Sequence, residues 1–131
     1  MSKNKGAGIL FICDDKVLLM QNKKGLWEIP GGKREKGEKS LDAARRETHE
    51  ECGICPSFGL IGSYIFENLK NKYKIFFAKV KNKFNCEISD EHSKYGWFNI
   101  KKLPQPVHNK VTGALKFLNK NELALDNVNA I

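Results

Sequence analysis

The 131-residue chain carries 23 Lys plus Arg against 15 Asp plus Glu, a net charge of +8, with 40% hydrophobic and 29% charged residues. That length suits one globular domain with one real core, and the charge favours polyanionic partners: nucleotides, phosphates or nucleic acid. No apolar run approaches membrane-spanning length and no signal-peptide pattern opens the chain, so no membrane partner and a cytoplasmic location are expected.

The lysines are scattered rather than gathered in one arm, which counts against direct nucleic-acid binding. Cys13, Cys52, Cys55 and Cys86 are expected to be reduced thiols. Cys52-Gly-Ile-Cys55 has the spacing of a redox or zinc pair, but no second CxxC completes a four-cysteine site. Buried thiols are the better reading.

Met1 to Lys5 reads as a frayed polar start. Gly8 to Cys13 and Lys16 to Gln21 read as strands joined by a tight turn at Asp14-Asp15. Leu26 to Ile29 is a short strand, ended by Pro30-Gly31-Gly32. Ser40 to Cys52 has helical spacing, with Ser40 as N-cap, Asp42 in the first turn and Gly53 as the stop. Ser57 to Phe66 and Tyr73 to Val80 read as two strands that pair, with Gly59 and Gly62 marking bulges or bends. Glu87 to Lys94 is a polar loop and Tyr95 to Asn99 a short strand. Val107 to Asn119 is a second helix, and 121–131 a loose tail. These elements imply one α+β domain over 1–131, a mixed sheet with helices packed on it.

The informative stretch is Gly32 to Ile54. On a helical wheel Glu47 and Glu51 lie about 40° apart and Glu47 and Glu50 about 60° apart, so three carboxylates share one patch. Such a cluster repels itself unless a cation sits among its members, and magnesium takes oxygen ligands. Leu41, Ala44, Thr48 and Cys52 form a buried stripe beside that patch. His49 points away from it. A solvated, glutamate-rich helix face is the plain alternative. A P-loop is excluded, because Glu38 stands where GxxxxGK[ST] needs its lysine.

The same stretch resembles the Nudix box, G-x5-E-x7-R-E-U-x-E-E-x-G-U, where U is a bulky apolar residue. Gly32, Glu38, Arg46, Glu47, Glu50, Glu51, Gly53 and Ile54 stand at the required positions; Thr48 replaces the first U, on the buried stripe. LWEIPGGK before the box is also similar to the family.

The resemblance implies an α/β/α sandwich with a mixed central sheet and metal-dependent hydrolysis of a nucleoside diphosphate linked to a further group. It implies Mg2+, with Mn2+ as a substitute, held by Glu47, Glu50, Glu51 and the Gly31 carbonyl. Arg46 would fix a glutamate by pairing, and Glu38 would be structural. Glu91 is a further candidate, as ligand or base, from the segment Glu91-His92-x-x-Tyr95-x-Trp97. The proton acceptor is Glu47, Glu50 or Glu91. His92 is read as a packing or substrate contact.

Lys33, Arg34 and Lys36 are candidate phosphate contacts, and Asn109 a candidate base contact. Trp27, Tyr64, Phe66, Tyr73, Phe76 and Phe77 are candidates to stack on a base, most of them reading as core. A (deoxy)nucleoside triphosphate is the expected substrate. Dinucleoside tetraphosphates, RNA 5′ ends and a non-catalytic nucleotide-sensing module are the alternatives. Monomer and homodimer both stay open.

Overall fold

Strands β1 (Asn4–Cys13) and β2 (Lys16–Asn22) form the first hairpin in a computed structural model that describes residues 3–121. Asp14 makes the turn with a φ of 54°, which aspartate tolerates better than most residues. The strands pair beside the turn, Ile12 with Val17 and Cys13 with Lys16, and then diverge. Two short strands fill the opening. β3 (Trp27–Glu28) pairs with β2 through Met20 and Gln21; β4 (Gly31–Lys33) pairs with β1 through Gly6, Ala7 and Gly8. The first hairpin is therefore a fork, and the proline-glycine-glycine segment lies inside it.

Helix α1 (Ser40–Cys52) follows, then the antiparallel strands β5 (Gly59–Glu67) and β6 (Asn71–Lys79). β6 runs parallel to β1 from Asn4–Asn71 to Ile12–Lys79. Strand β7 (His92–Asn99) pairs with β2, and helix α2 (Asn109–Lys120) comes last. The sheet order is β3-β2-β1-β6-β5, with β4 on β1 and β7 on β2.

Strand alternation sends side chains to two cores. Leu10, Ile12, Leu19, Ile75 and Phe77 pack against Val111, Ala114, Leu115 and Leu118 of α2. Ala7, Ile9, Phe11, Met20 and Phe76 pack against Ala43, Ala44 and Cys52 of α1. The expected mixed-sheet sandwich is the one found.

Several boundaries move for physical reasons. Lys3 to Lys5 do not fray: Asn4 and Lys5 pair with Asn71 and Lys72, and Lys3 Nζ lies 2.9 Å from Glu67 Oε2. Met1 and Ser2 lie outside the described residues, as do 122–131 of the expected tail. Gly31 to Lys33 is a strand because the fork offers it unpaired β1 backbone. Ser40 is the first helical residue and Lys39 takes the N-cap position without a side-chain cap; the Ser40 hydroxyl instead accepts from Arg34 Nη1 at 3.4 Å. The β5 register shifts between Leu60 and Gly62, so of the two glycines expected to mark irregularities Gly62 does so.

Gly53 ends α1 with a φ of 75°, and its N–H donates to the His49 carbonyl at 2.9 Å. A Cβ there would meet Glu87 Cβ at 3.0 Å. Gly53→Ala is expected to lower unfolding free energy by about 1–2 kcal/mol, read as a lower urea midpoint at unchanged m.

Candidate catalytic and metal-binding site

Arg46 is the hub of the exposed side of α1. Its Nε and Nη2 donate to both Glu38 carboxylate oxygens at 2.9 and 3.1 Å, a forked pair. Its Nη1 donates to Glu47 at 3.0 Å and to Glu50 at 3.2 Å, and Nη2 also reaches the Lys33 carbonyl at 3.1 Å. Arg46 thus ties the glycine-rich loop to the helix and holds two box glutamates. The hydrogen bonds from Arg46, then the Glu35 backbone N–H, keep the Glu38 carboxyl down at about 2. Glu38 is ionised at any working pH, so the fork persists.

Glu47 and Glu51 sit differently. Burial pushes the Glu47 carboxyl above its ordinary range, against the pull of Arg46. Its carboxylate lies against the Gly32 backbone, where a Cβ would collide with it. Glu51 is 4% exposed and accepts from the Gly31 N–H at 2.7 Å. Burial pushes its carboxyl up to about 9, the Gly31 N–H opposing and Glu91 and Glu47 adding to the rise. Gly31 has no room for a side chain: a Cβ would strike the Tyr73 hydroxyl and come within 2.5 Å of the Ala7 carbonyl.

His92 lies on the far side of Glu51, 4% exposed, its Nε2 4.0 Å from Glu51 Oε2. Burial lowers its pKa, which keeps the ring neutral, and its Nδ1 has no hydrogen-bond partner. Ligand atoms of Glu51, Glu91 and His92 all lie within 4.8 Å of one another. A divalent cation fits this group on chemical grounds. It would supply the charge that a buried carboxyl beside two others lacks, and a partner for an imidazole. The sequence expectation made His92 a packing or substrate contact; the structure brings it to the acids. What placed it there is the β7–β2 pairing of His92 with Asn22, which periodicity did not reveal.

Three cavities meet at Lys5. The first, about 700 Å³, is walled by Phe66, Tyr73, His108, Asn109 and Lys110, with Asn4, Asn68 and Asn71 supplying amides. The second, about 850 Å³, runs past Lys33, Arg34 and Lys36 to Arg46 and Glu47. The third is smaller, about 210 Å³. Lys33 lines the first two, Arg34 the last two, and Asn109 the first.

Trp27, a candidate to stack on a base, is corrected: it is 6% exposed, its ring edge-to-face with Phe98 at 4.9 Å within the α2-side core. Its N–H and C=O are also tied to Pro106 and His108, so it packs β3 rather than lining a cavity. His108 went unnoticed in the sequence; it caps α2 through Nδ1, which accepts from the Lys110 N–H at 3.0 Å. The Lys110 ammonium lies 4.0 Å from the Tyr73 ring centroid and 4.0 Å from Glu28 Oε1.

The NUDIX domain family matches residues 2–120. This chain belongs to the Nudix hydrolase family. It is 33% identical to the asymmetrical bis(5′-nucleosyl)-tetraphosphatase of Mus musculus over 99 residues, 67% of each chain. A putative 8-oxo-dGTP diphosphatase of Bacillus subtilis is 26% identical over 76% of this chain and 69% of its own. The uncharacterized Nudix hydrolase YvcI of Bacillus subtilis is 55% identical over 42 residues, which span 31% of this chain and only 27% of that protein. Among solved structures, the MutT NUDIX hydrolase of Burkholderia pseudomallei superposes with a TM-score of 0.72 at 25% identity, covering 88% of this chain and 98% of its own. Among the described residues no helix is long and apolar enough to cross a membrane.

Two outcomes follow from the acids. Without metal, the folded Glu51 carboxyl keeps its proton to about 9, against an ordinary 4.5 for the unfolded chain. A raised acid pKa favours the fold at low pH, and that contribution is lost as pH rises through the folded value. The metal-free Tm is therefore expected to fall between pH 5 and about 9, and magnesium affinity to rise over the same range as the lost proton is exchanged for the ion. Glu51→Gln should flatten both, by differential scanning calorimetry and titration calorimetry. Glu38→Gln removes one arm of the Arg46 fork; it is expected to weaken divalent-metal affinity about tenfold, measured by the same titration.

Proposed function

We propose that this protein hydrolyses a phosphoanhydride bond of a nucleoside polyphosphate, with a (deoxy)nucleoside triphosphate as the substrate read best. The observation that carries this is adjacency: a cavity of nucleoside size shares Asn4, Lys5 and Lys33 with the one walled by Arg46 and Glu47. Phe66 and His108, edge-to-face with centroids 6.0 Å apart, offer the base an aromatic wall, and Asn109 an amide. Lys5 and Lys33 stand where the phosphates must pass.

The metal ligands proposed are Glu47, Glu50, Glu51, Glu91 and the Gly31 carbonyl, with His92 beside them. Magnesium suits a donor set that is mostly carboxylate, with manganese as a substitute that accepts the imidazole more readily. When bound, the ion screens the polyphosphate and acidifies coordinated water. The chain's own residues position and move the proton. Arg46 holds the Glu47 and Glu50 carboxylates together, which limits their search of rotamers. Water oxygen forms a new bond to phosphorus as the anhydride P–O bond breaks, and the leaving phosphate keeps that electron pair. Glu47 takes the proton.

The mouse relative at 33% identity supports a second reading, hydrolysis of a dinucleoside tetraphosphate. A panel of triphosphates, oxidised triphosphates and dinucleoside tetraphosphates with magnesium, run in heavy-oxygen water, separates the two and marks the phosphorus attacked. Glu50→Gln and Glu51→Gln are each expected to lower kcat at least about 100-fold with the fold intact. Wild-type turnover in either variant would remove the case for hydrolysis at this helix.

A further inference from the structure

The nucleoside cavity holds a cation that the cleavage step does not use. Lys110, on the first turn of α2, lines that cavity with its side chain 11% exposed. Its ammonium lies 4.0 Å from the Tyr73 ring centroid and 4.0 Å from Glu28 Oε1. Both contacts balance charge, but neither is a hydrogen bond, which needs a donor within about 3.2 Å of its acceptor. Among the described residues the Nζ donors therefore reach no acceptor. Donors taken out of water and left unpaired cost free energy, which an incoming acceptor would return.

The rest of the wall leans the same way. His108 Nδ1 is spent accepting the Lys110 N–H at 3.0 Å, so the neutral ring carries its proton on Nε2, a second donor. Burial, then the Lys110 charge, lowers the His108 pKa and keeps the ring neutral. The asparagine amides offer donor and acceptor alike, so they select neither. No carboxylate lines the cavity among the described residues. The wall thus has a surplus of donors.

The two ends of the cavity decide which part of a nucleotide meets that surplus. The cavity shares Asn4, Lys5 and Lys33 with the catalytic one, so the ribose and its 5′ chain face that side. Phe66, His108 and Lys110 line the nucleoside cavity and not the catalytic one. With the base against the Phe66–His108 pair, the edge opposite its ribose is the part left for Lys110.

We propose that Lys110 selects the nucleobase by donating to an oxygen at purine C6 or pyrimidine C4. The substrate class is then a nucleotide of an oxo base, a 6-oxopurine or a 4-oxopyrimidine, in preference to adenine or cytosine. Those two present an amino group at the same position, which sets a donor against the ammonium and leaves both unpaired. A site built to hydrogen-bond one group rejects the analogue lacking it more strongly than an apolar pocket can. The proposal rests on the nucleotide reading above for the place of the base.

Binding tests this apart from turnover. Two matched pairs are titrated calorimetrically into the whole protein: inosine against adenosine 5′-monophosphate, and uridine against cytidine 5′-monophosphate. Within each pair the ligands differ only at the exocyclic group and the protonation of the ring nitrogen beside it, and none holds an anhydride bond. The oxo member of each pair is expected to bind about tenfold tighter. Lys110→Met keeps a side chain of similar length without donors, and Lys110→Gln adds an acceptor. Each should bring both ratios to within about twofold of one, with the circular dichroism spectrum retained. Equal affinities in the wild type, or a preference that survives both substitutions, overturn the proposal. Uniform weakening of all four ligands with the ratios unchanged also overturns it, because Lys110 would then be meeting the phosphate. Turnover of inosine and adenosine triphosphates with magnesium is measured alongside. An oxo preference in binding with no turnover of either would sink the hydrolase reading and leave the base selection standing; turnover of both without a binding preference would do the reverse.

Discussion

The structure turns on a shortage of positive charge around Glu51. Its carboxyl is buried, accepts one backbone N–H, and faces Glu47, Glu91 and a neutral His92. Arg46 does not relieve it, since its donors are spent on Glu38, Glu47, Glu50 and the Lys33 carbonyl. The fold thus holds an acid in its neutral form unless a cation arrives. Burying an uncompensated carboxyl costs folding energy, and a chain that keeps one among further acids is arranged for a ligand rather than for rigidity.

Backbone without side chains makes that arrangement possible. Gly31 and Gly32 pass through the opening of the β1–β2 fork, where the Tyr73 hydroxyl and the Glu47 carboxylate occupy the space a Cβ would need. Tyr73 contributes a hydroxyl that is buried without a partner, beside the acids and under the same glycines. Sheet geometry and acid geometry are therefore one problem: the divergence of β1 from β2 admits β4, and β4 presents the backbone N–H that meets Glu51.

Much of this was legible in the residues. The spacing of Arg46, Glu47, Glu50 and Glu51 defined the carboxylate patch, and Gly53 ended the helix with the positive φ it was expected to supply. Ala44, Thr48 and Cys52 are buried as the wheel placed them. What escaped depends on partners distant in sequence. β4 reads as loop because three residues with two glycines carry no alternation, and only the fork makes them a strand. His92 reads as a packing or substrate contact and Lys5 as part of a frayed polar start; the pairing of β7 with β2 and of β1 with β6 brings one to the acids and the other to the meeting point of three cavities. Trp27 looked available for stacking because its two-residue strand gave no hint of which core would claim it.

The parallel pairing of β1 with β6 also constrains how the chain is made. Asn4 waits for Asn71, and Ile12 for Lys79, so the centre of the sheet cannot close until β6 has left the ribosome. By then α1 has already been synthesised and can meet Ala7, Ile9, Phe11 and Met20, but Phe76 and Ala78 of β6, which complete that strand face, are still missing. A nascent chain halted between α1 and β6 would carry its acidic cluster on a helix whose strand face is only partly built, a target for chaperones and proteases rather than a partly working enzyme.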